Sequence, residues 1–371
     1  MPTIENKTCQ KPIVLHIISS DKFTTGYINF MTKEVPSYNH FFVVLGMFDE
    51  TGLINKNNVY IIRDYFEILL KGCIKTLVNS SKKIIVSGVF TSYIAVAFWK
   101  KKFLKKTFLH FWGGDFYHLR KPAKDIRTAM KIRLKKYCAR NCAGLLFLIE
   151  GEYDNFHEIT GIVNRHYIAP MPGDPLEKIH YAAYRSTSDK TEQKTHINIL
   201  VGNSATNTNQ HAEVFEALGK YPLNMMNIYV PLSYGSPVYR EFVLKEGHRL
   251  LGTSFHPMLD FMSKKEYISF LAKMDIGIFN NDRQQGMGNI NAMLGLGKKV
   301  FIRNDTSMWR KYFNEGWSIY SISSISNLNY RDFSFFSEED RQKNELLDDA
   351  RDFGTIAKTA WNKVFEASTE F

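Results

Sequence analysis

Short apolar runs, each closed by glycine, serine, asparagine or aspartate, recur along this chain. They alternate with longer stretches in which apolar residues return every three or four positions. Short closed runs mark strands buried on both faces, and the longer spacing marks the helices that cover them. Runs at 13–18, 41–45, 59–62, 84–86, 107–112 and 145–149 predict strands, with helices at 65–77, 93–99 and 125–142. A second series has strands at 197–201, 226–230, 276–279 and 300–302, with helices at 210–218, 239–247, 262–274 and 289–296. The stretch 340–366 predicts one or two further helices. Such alternation means α/β architecture built on mainly parallel sheets. The first series is interrupted by three prolines and a glycine within 170–175 and by a polar stretch at 184–195. The expected organisation is therefore two Rossmann-like domains, 1–170 and 196–340, joined by a linker at 171–195 and followed by C-terminal helices at 341–371.

The most informative pattern lies at 275–302. An apolar strand runs into a polar loop, a helix follows, and Gly297 stops it before the next strand. In such a βαβ unit the loop lies at the carboxyl end of a parallel strand, where open α/β sheets bind ligands. Gly286 and Gly288 would let backbone amides approach a phosphate closely. A helix beginning near Asn289 adds its positive end, Arg283 a full charge, and Gln284 and Gln285 neutral donors. Gly202, Asn203 and Ser204 also follow a strand and precede a helix, and would supply a second set of backbone donors. Two such units predict ligand loops facing a shared cleft.

Length adds that 371 residues suffice for two ordinary cores. There is no run of 18 apolar residues and the first eleven residues do not resemble a secretory signal, so a cytosolic protein is expected. Cys9, Cys73, Cys138 and Cys142 are too scattered for a disulfide framework or a zinc site and read as buried thiols. The net charge of +11 is unevenly placed: 100–140 holds fourteen Lys or Arg against Asp115 and Asp125, or +12. Within it, Trp99, Lys100, Lys101, Lys102, Phe103, Lys105 and Lys106 mix aromatic and cationic side chains, and Arg127 and Lys131 lie on an amphipathic basic helix. That mixture suits an anionic membrane surface. Nucleic-acid binding would use the same charge, but no recognisable module accompanies it.

Four motifs in fixed order then resemble a known family. They are Leu200-Val201-Gly202-Asn203-Ser204, Asn209-Gln210-His211, Val230-Pro231 with Tyr234, and Arg283-Gln284-Gln285-Gly286-Met287-Gly288. Upstream, Ser20-Asp21 and Trp112-Gly113 with Asp115 and Tyr117 extend the likeness. The chain is similar, from about residue 13 to about 310, to glycosyltransferase family 56, the bacterial 4-alpha-L-fucosyltransferase family. The resemblance implies a GT-B fold whose second domain binds a nucleotide-sugar, inverting chemistry, and no obligatory metal or other cofactor. It further implies a dTDP-activated amino-deoxy sugar as donor and an undecaprenyl-pyrophosphate-linked glycan as acceptor at the cytoplasmic membrane face. A nucleic-acid partner is not part of that picture. The sequence lacks any Asp-x-Asp, but it has Asn291 and Ala292 where many GT-B enzymes carry an acid that holds the ribose.

Inverting transfer needs a base near the acceptor hydroxyl and positive character near the departing diphosphate. The second role falls to Arg283, Gln284, Gln285, Gly286, Gly288 and Asn289. Asn209 and His211 are candidates to contact phosphate or acceptor, and Tyr234 to stack on the nucleobase. Asp115, at the end of a strand after two glycines, is the first candidate base and Asp21 the second. His16 and His110, inside apolar runs, read as core histidines with satisfied nitrogens. A GT-B protein that binds glycans without catalysis would carry the same motifs.

Overall fold

In a computed structural model of the chain, residues 11–21, 23–63, 67, 71–88, 101–172, 181–185 and 196–368 are described. They form two compact units, one of residues 1–173 with 353–371 and the other of residues 174–352.

The first unit is built on seven parallel strands: β1 (Ile13–Ser19), β2 (Asn39–Leu45), β3 (Val59–Ile62), β4 (Lys83–Ser87), β5 (Thr107–Phe111), β6 (Gly144–Phe147) and β7 (His166–Ile168), in the order β3-β2-β1-β4-β5-β6-β7. Alternation along β1 assigns its faces. Leu15 and Ile17 pack with α2 (Gly72–Ser80), the end of α3 (Ile126–Asn141) and α4 (Glu152–Thr160). Val14 and Ile18 point the other way, to α1 (Thr24–Glu34) and to the last helix of the chain.

The second unit has six parallel strands: β8 (Ile197–Val201), β9 (Met226–Pro231), β10 (Phe255–Met258), β11 (Ile276–Phe279), β12 (Lys299–Ile302) and β13 (Tyr320–Ser321), ordered β10-β9-β8-β11-β12-β13. Around it lie α5 (His211–Leu218), α6 (Pro237–Leu251), α7 (Lys264–Ala272), α8 (Met287–Gly295), α9 (Ser307–Asn314) and α10 (Glu338–Ala350). Strands β7, β10 and β13 are not announced by apolar runs. All three are edge strands of two to four residues, and Pro257 is tolerated in β10 because an edge leaves one side of the ladder unpaired.

Three expectations change. The C-terminal helices do not form one block: α10 belongs to the second unit and α11 (Phe353–Glu366) to the first. Within the stretch expected as a linker, residues 181–185 are helical and Arg185 pairs with the buried Asp348 of α10 at 2.7 Å. Cys138 and Cys142 are buried thiols, raised to about 12 by burial, but Cys73 is exposed. Cys9 and the helix expected at 93–99 lie outside the described residues.

The interior of the first unit carries a polar chain. His40 Nε2 faces the Val35 carbonyl at 2.9 Å, His40 Nδ1 faces His16 Nε2 at 2.9 Å, and His16 Nδ1 faces the Tyr27 hydroxyl at 2.9 Å. His110 Nε2 lies 2.8 Å from the Ala169 carbonyl and its Nδ1 3.1 Å from Ser87 Oγ. His16 and His110 are fully buried with both ring nitrogens partnered, as the sequence implies. Burial pushes all three imidazoles down, His40 to about 4 and His110 to about 3, so they are neutral at pH 7.

Candidate functional site

In the second sheet the chain winds outward from β8 through β9 to β10, then returns to β11 on the other side of β8. The reversal opens a crevice at the carboxyl ends of β8 and β11, the topological switch point of an open sheet. Both predicted loops leave from there, Gly202 after β8 and Asn280 after β11.

The loops are locked together. Gly202, at φ +69°, passes so close to the next helix that a Cβ would lie 2.7 Å from His211 Nε2 and 2.8 Å from Asn209 Oδ1. Gly286, also at φ +69°, sits against Asn203, whose Oδ1 would be 3.2 Å from an added Cβ. Between them Gln285 acts as a strut. Its Nε2 donates to Asn203 Oδ1 at 3.2 Å, Ser204 Oγ at 3.1 Å and Thr206 Oγ1 at 2.9 Å, while its Oε1 accepts from Thr208 Oγ1 at 2.6 Å. Asn281 Nδ2 reaches the same Asn203 Oδ1 at 3.3 Å and Asn209 Oδ1 at 3.0 Å.

Above this network α8 begins at Met287, with Gly286 as a left-handed N-cap, and among the described residues no side chain caps its first amides. The first amides of a helix have no intrahelical acceptor, so the mouth of the crevice is lined by free donors and the positive end of the helix dipole. Gly288 is exposed there, and the half-buried Arg283 extends from the same loop, its Nη1 donating to the Gln284 carbonyl at 3.2 Å. Gln284 is buried, and its Oε1 has no hydrogen-bond partner among the described residues. The side-chain Nδ2 of Asn289 donates to the Tyr267 hydroxyl at 2.9 Å, fixing the first turn. Asn291, at the position where many GT-B enzymes carry a ribose-binding acid, accepts from Tyr312 at 2.8 Å and from Arg351 at 3.2 Å.

Asn209 and His211 lie beneath the loops rather than on them, 1% and 0% exposed. The Tyr239 hydroxyl faces His211 Nδ1 at 3.2 Å, and the buried Nε2 rests against Gly202 with no hydrogen-bond partner among the described residues. Burial depresses this imidazole to about 3, so it is neutral. Tyr234 stands at the rim: it is 42% exposed, its hydroxyl accepts from Asn203 Nδ2 at 3.0 Å, and its ring centroid is 6.4 Å from that of the exposed Phe261.

Asn281, Thr206, Thr208 and Tyr239 were not singled out in the sequence. The available signal was polar residues directly after a strand, as in Asn280-Asn281, where a buried amide must be bonded.

In the first sheet the reversal falls between β1 and β4. Gly88, just past β4, is roofed by Trp112, whose ring would be 2.7 Å from a Cβ there. Asp115, half-buried past β5, accepts from the Trp112 backbone amide at 2.5 Å and lies within electrostatic reach of Lys135. Asp21, exposed past β1, accepts from the Phe23 amide at 3.1 Å. Both carboxylates therefore close turns at the carboxyl ends of strands.

The basic segment needs correction. Lys101, Lys102, Lys105, Arg127 and Lys131 are exposed, but Phe103 and Leu104 are buried in the core. Lys106 is turned inward too: its Nζ donates to the carbonyls of Val78 at 2.7 Å, Asn79 at 3.1 Å and Ser81 at 2.6 Å, closing the end of α2. Phe103 and Lys106 are thus structural. Trp99 and Lys100 lie outside the described residues. Among the described residues no helix is long and apolar enough to cross a membrane, and no cluster of three acidic, histidine or cysteine side chains is placed to hold a metal ion.

Two parallel-sheet units with crevices at their switch points are the components of the GT-B class of glycosyltransferase folds. Solved structures agree at the level of fold. The Candida albicans trehalose-6-phosphate phosphatase N-terminal domain matches with TM-score 0.67 at 10% identity, covering 96% of this chain and 97% of that one. Anabaena Alr3699/HepE in complex with UDP and glucose matches at 0.66 and 11%, covering 95% and 99%. WaaG, a glycosyltransferase involved in lipopolysaccharide biosynthesis, matches at 0.62 and 10%, covering 95% and 100%. The family model described as 4-alpha-L-fucosyltransferase glycosyl transferase group 56 matches residues 21–333, and the chain belongs to that family. It is a glycosyltransferase.

Proposed function

We propose that this glycosyltransferase moves a deoxy or amino-deoxy sugar, of the fucose or 4-acetamido-4,6-dideoxygalactose type, from a dTDP-linked donor to an undecaprenyl-pyrophosphate-linked glycan, with inversion, at the cytoplasmic membrane face. Such a step belongs to cell-surface polysaccharide synthesis of the enterobacterial common antigen kind. The observation that carries the reading is the uncapped start of α8 at the switch point, flanked by Arg283 and fixed by Gln285.

In this reaction the acceptor hydroxyl gives its proton to one carboxylate, with Asp115 the first candidate and Asp21 the alternative, and its oxygen attacks the anomeric carbon. The bond from that carbon to the diphosphate breaks, and the electron pair leaves on a phosphate oxygen. Charge developing there is met by the amides of Gly286, Gly288 and Asn289 and by Arg283, with Gln284 and Gln285 holding the loop. Gly202, Asn203, Ser204, Asn209 and His211 support the crevice from below, and Tyr234 stacks on the base. The UDP and glucose held by HepE, a protein of the same fold, are in keeping with a nucleotide-sugar donor.

Thermal shift with dTDP, UDP and GDP tests the donor, with dTDP expected to raise the melting temperature most. Arg283→Ala should lower turnover ~100-fold, the scale of losing one stabilising donor. Near-normal transfer by both Asp115→Asn and Asp21→Asn would remove the carboxylate-base assignment.

A further inference from the structure

The basic helix α3 buries only part of the apolar stripe its sequence carries: Cys138 lies in the core and Leu134 packs against it, while the rest faces outward. Ile126, Met130, Leu134, Tyr137 and Cys138 recur at helical spacing, and in a soluble amphipathic helix that stripe would face the core. Here only Cys138 and Ala139 of the helix are buried. Ile126 is 80% exposed, Met130 65% and Tyr137 42%. Spacings of four and seven place these three on one outward face. Arg133 and Arg140, one heptad apart, are exposed and border the same face, and Lys124, Arg127 and Lys131 are exposed nearby. The helix is turned so that its apolar residues and a ring of cations both meet the surroundings.

An exposed apolar stripe edged by positive charge fits a partner that is negative at its surface and apolar just beneath. A bilayer containing anionic lipid offers both in that order, phosphates at the surface and acyl chains just beneath, and the cations on both flanks of the stripe are complementary to it. We propose that the outward face of α3 docks on an anionic membrane, with Ile126, Met130 and Tyr137 entering the headgroup boundary and Arg127, Lys131, Arg133 and Arg140 held at the phosphates. This rests on the proposed lipid-linked acceptor for its purpose. It also replaces Phe103 and Lys106, both used inside the fold, with a different set of contacts.

The test is sedimentation of the full chain with vesicles of phosphatidylglycerol and phosphatidylcholine, and with phosphatidylcholine alone. The parent protein should bind the first at low salt, release at high salt, and ignore the second. The double substitution Ile126→Glu and Met130→Glu should weaken binding by about tenfold or more, since it removes the two most exposed insertions and adds negative charge. Val163→Glu, at an isolated exposed residue of the same unit, should leave it within about twofold. Equal losses in both variants would show a net-charge effect and overturn the proposal, as would a parent that does not bind. A parent that sediments as a dimer, split by the double substitution, would assign the stripe to a second copy and overturn it too. Stabilisation by dTDP, measured on every variant, reads the donor site separately: its absence would sink the proposed donor while leaving the membrane result standing.

Discussion

Gln285 can be perturbed in two ways whose effects should rank oppositely in two assays. Gln285→Ala removes one acceptor and the two amide hydrogens shared among three oxygens. Asn203 Oδ1 keeps Asn281, and Ser204 and Thr206 keep each other and Asn209, so no partner is left wholly bare. At about 1 kcal/mol net for each of two to three bonds the loss is ~2–3 kcal/mol. That is roughly 4–12 °C in the melting temperature of a unit this size. Gln285→Glu keeps the shape and the bond from Thr208, and the Ser204 and Thr206 hydroxyls can turn to donate, so only the bond to Asn203 Oδ1 is lost and its melting point should fall less. It places a negative charge in the loop proposed to hold a diphosphate. At an effective dielectric of about 20 and a separation of roughly 8 Å, each unit of like charge costs ~2 kcal/mol, or about thirtyfold in affinity. Differential scanning fluorimetry and dTDP titration by calorimetry would read the two effects. Alanine should be worse for stability and glutamate worse for nucleotide. Glutamate binding dTDP as tightly as alanine would refute the placement of the diphosphate, and an alanine variant melting with the parent would refute the strut.

Acid should weaken the first unit. His16, His40 and His110 are neutral when folded, while the unfolded chain takes up protons near pH 6.5, so stability is complete above that value. It is lost as pH falls from 6.5 towards about 4 for His40 and about 3 for His110. Between pH 7 and 5 the loss is about 2 kcal/mol per imidazole, visible as a falling urea midpoint; a flat midpoint would contradict the burial. Gly235→Ala puts a Cβ 2.4 Å from the Ala205 carbonyl oxygen at φ +121°, and should cost roughly 3 kcal/mol or more and little remain soluble. Gly288→Ala, with nothing within 4 Å of an added Cβ, should fold normally, so any loss of nucleotide affinity there reads the approach of the ligand itself.

The parts of this fold that were legible in the sequence are those in which local pattern and burial agree. β1, β8 and β11 are apolar runs closed by turn residues, and they are central strands covered on both faces. Both glycine loops were legible because a strand, a glycine and a helix start follow one another within a few residues. The strut and the buried amides beneath it were not, since Asn203 and Gln285 meet only when β8 and β11 become neighbours. Periodicity shows that α3 has an apolar stripe but not which way it faces. Lys106 shows the same limit: a lysine in a basic run looks solvated, and only the fold reveals three carbonyls waiting for it.

The assignment of α11 to the first unit has a consequence for how the protein comes into being. Trp361 is fully enclosed, stacks edge-on against Tyr27 and His110, and donates to the Pro170 carbonyl, while Lys83 of β4 holds the carbonyls of Val364 and Ala367. A nascent chain that has emerged only as far as residue 352 can finish the second unit, yet the one begun first still lacks a wall. The order of completion during synthesis is thereby reversed, and a stop falling just before α11, after residue 352, should leave a folded latter half attached to an incomplete, sticky beginning.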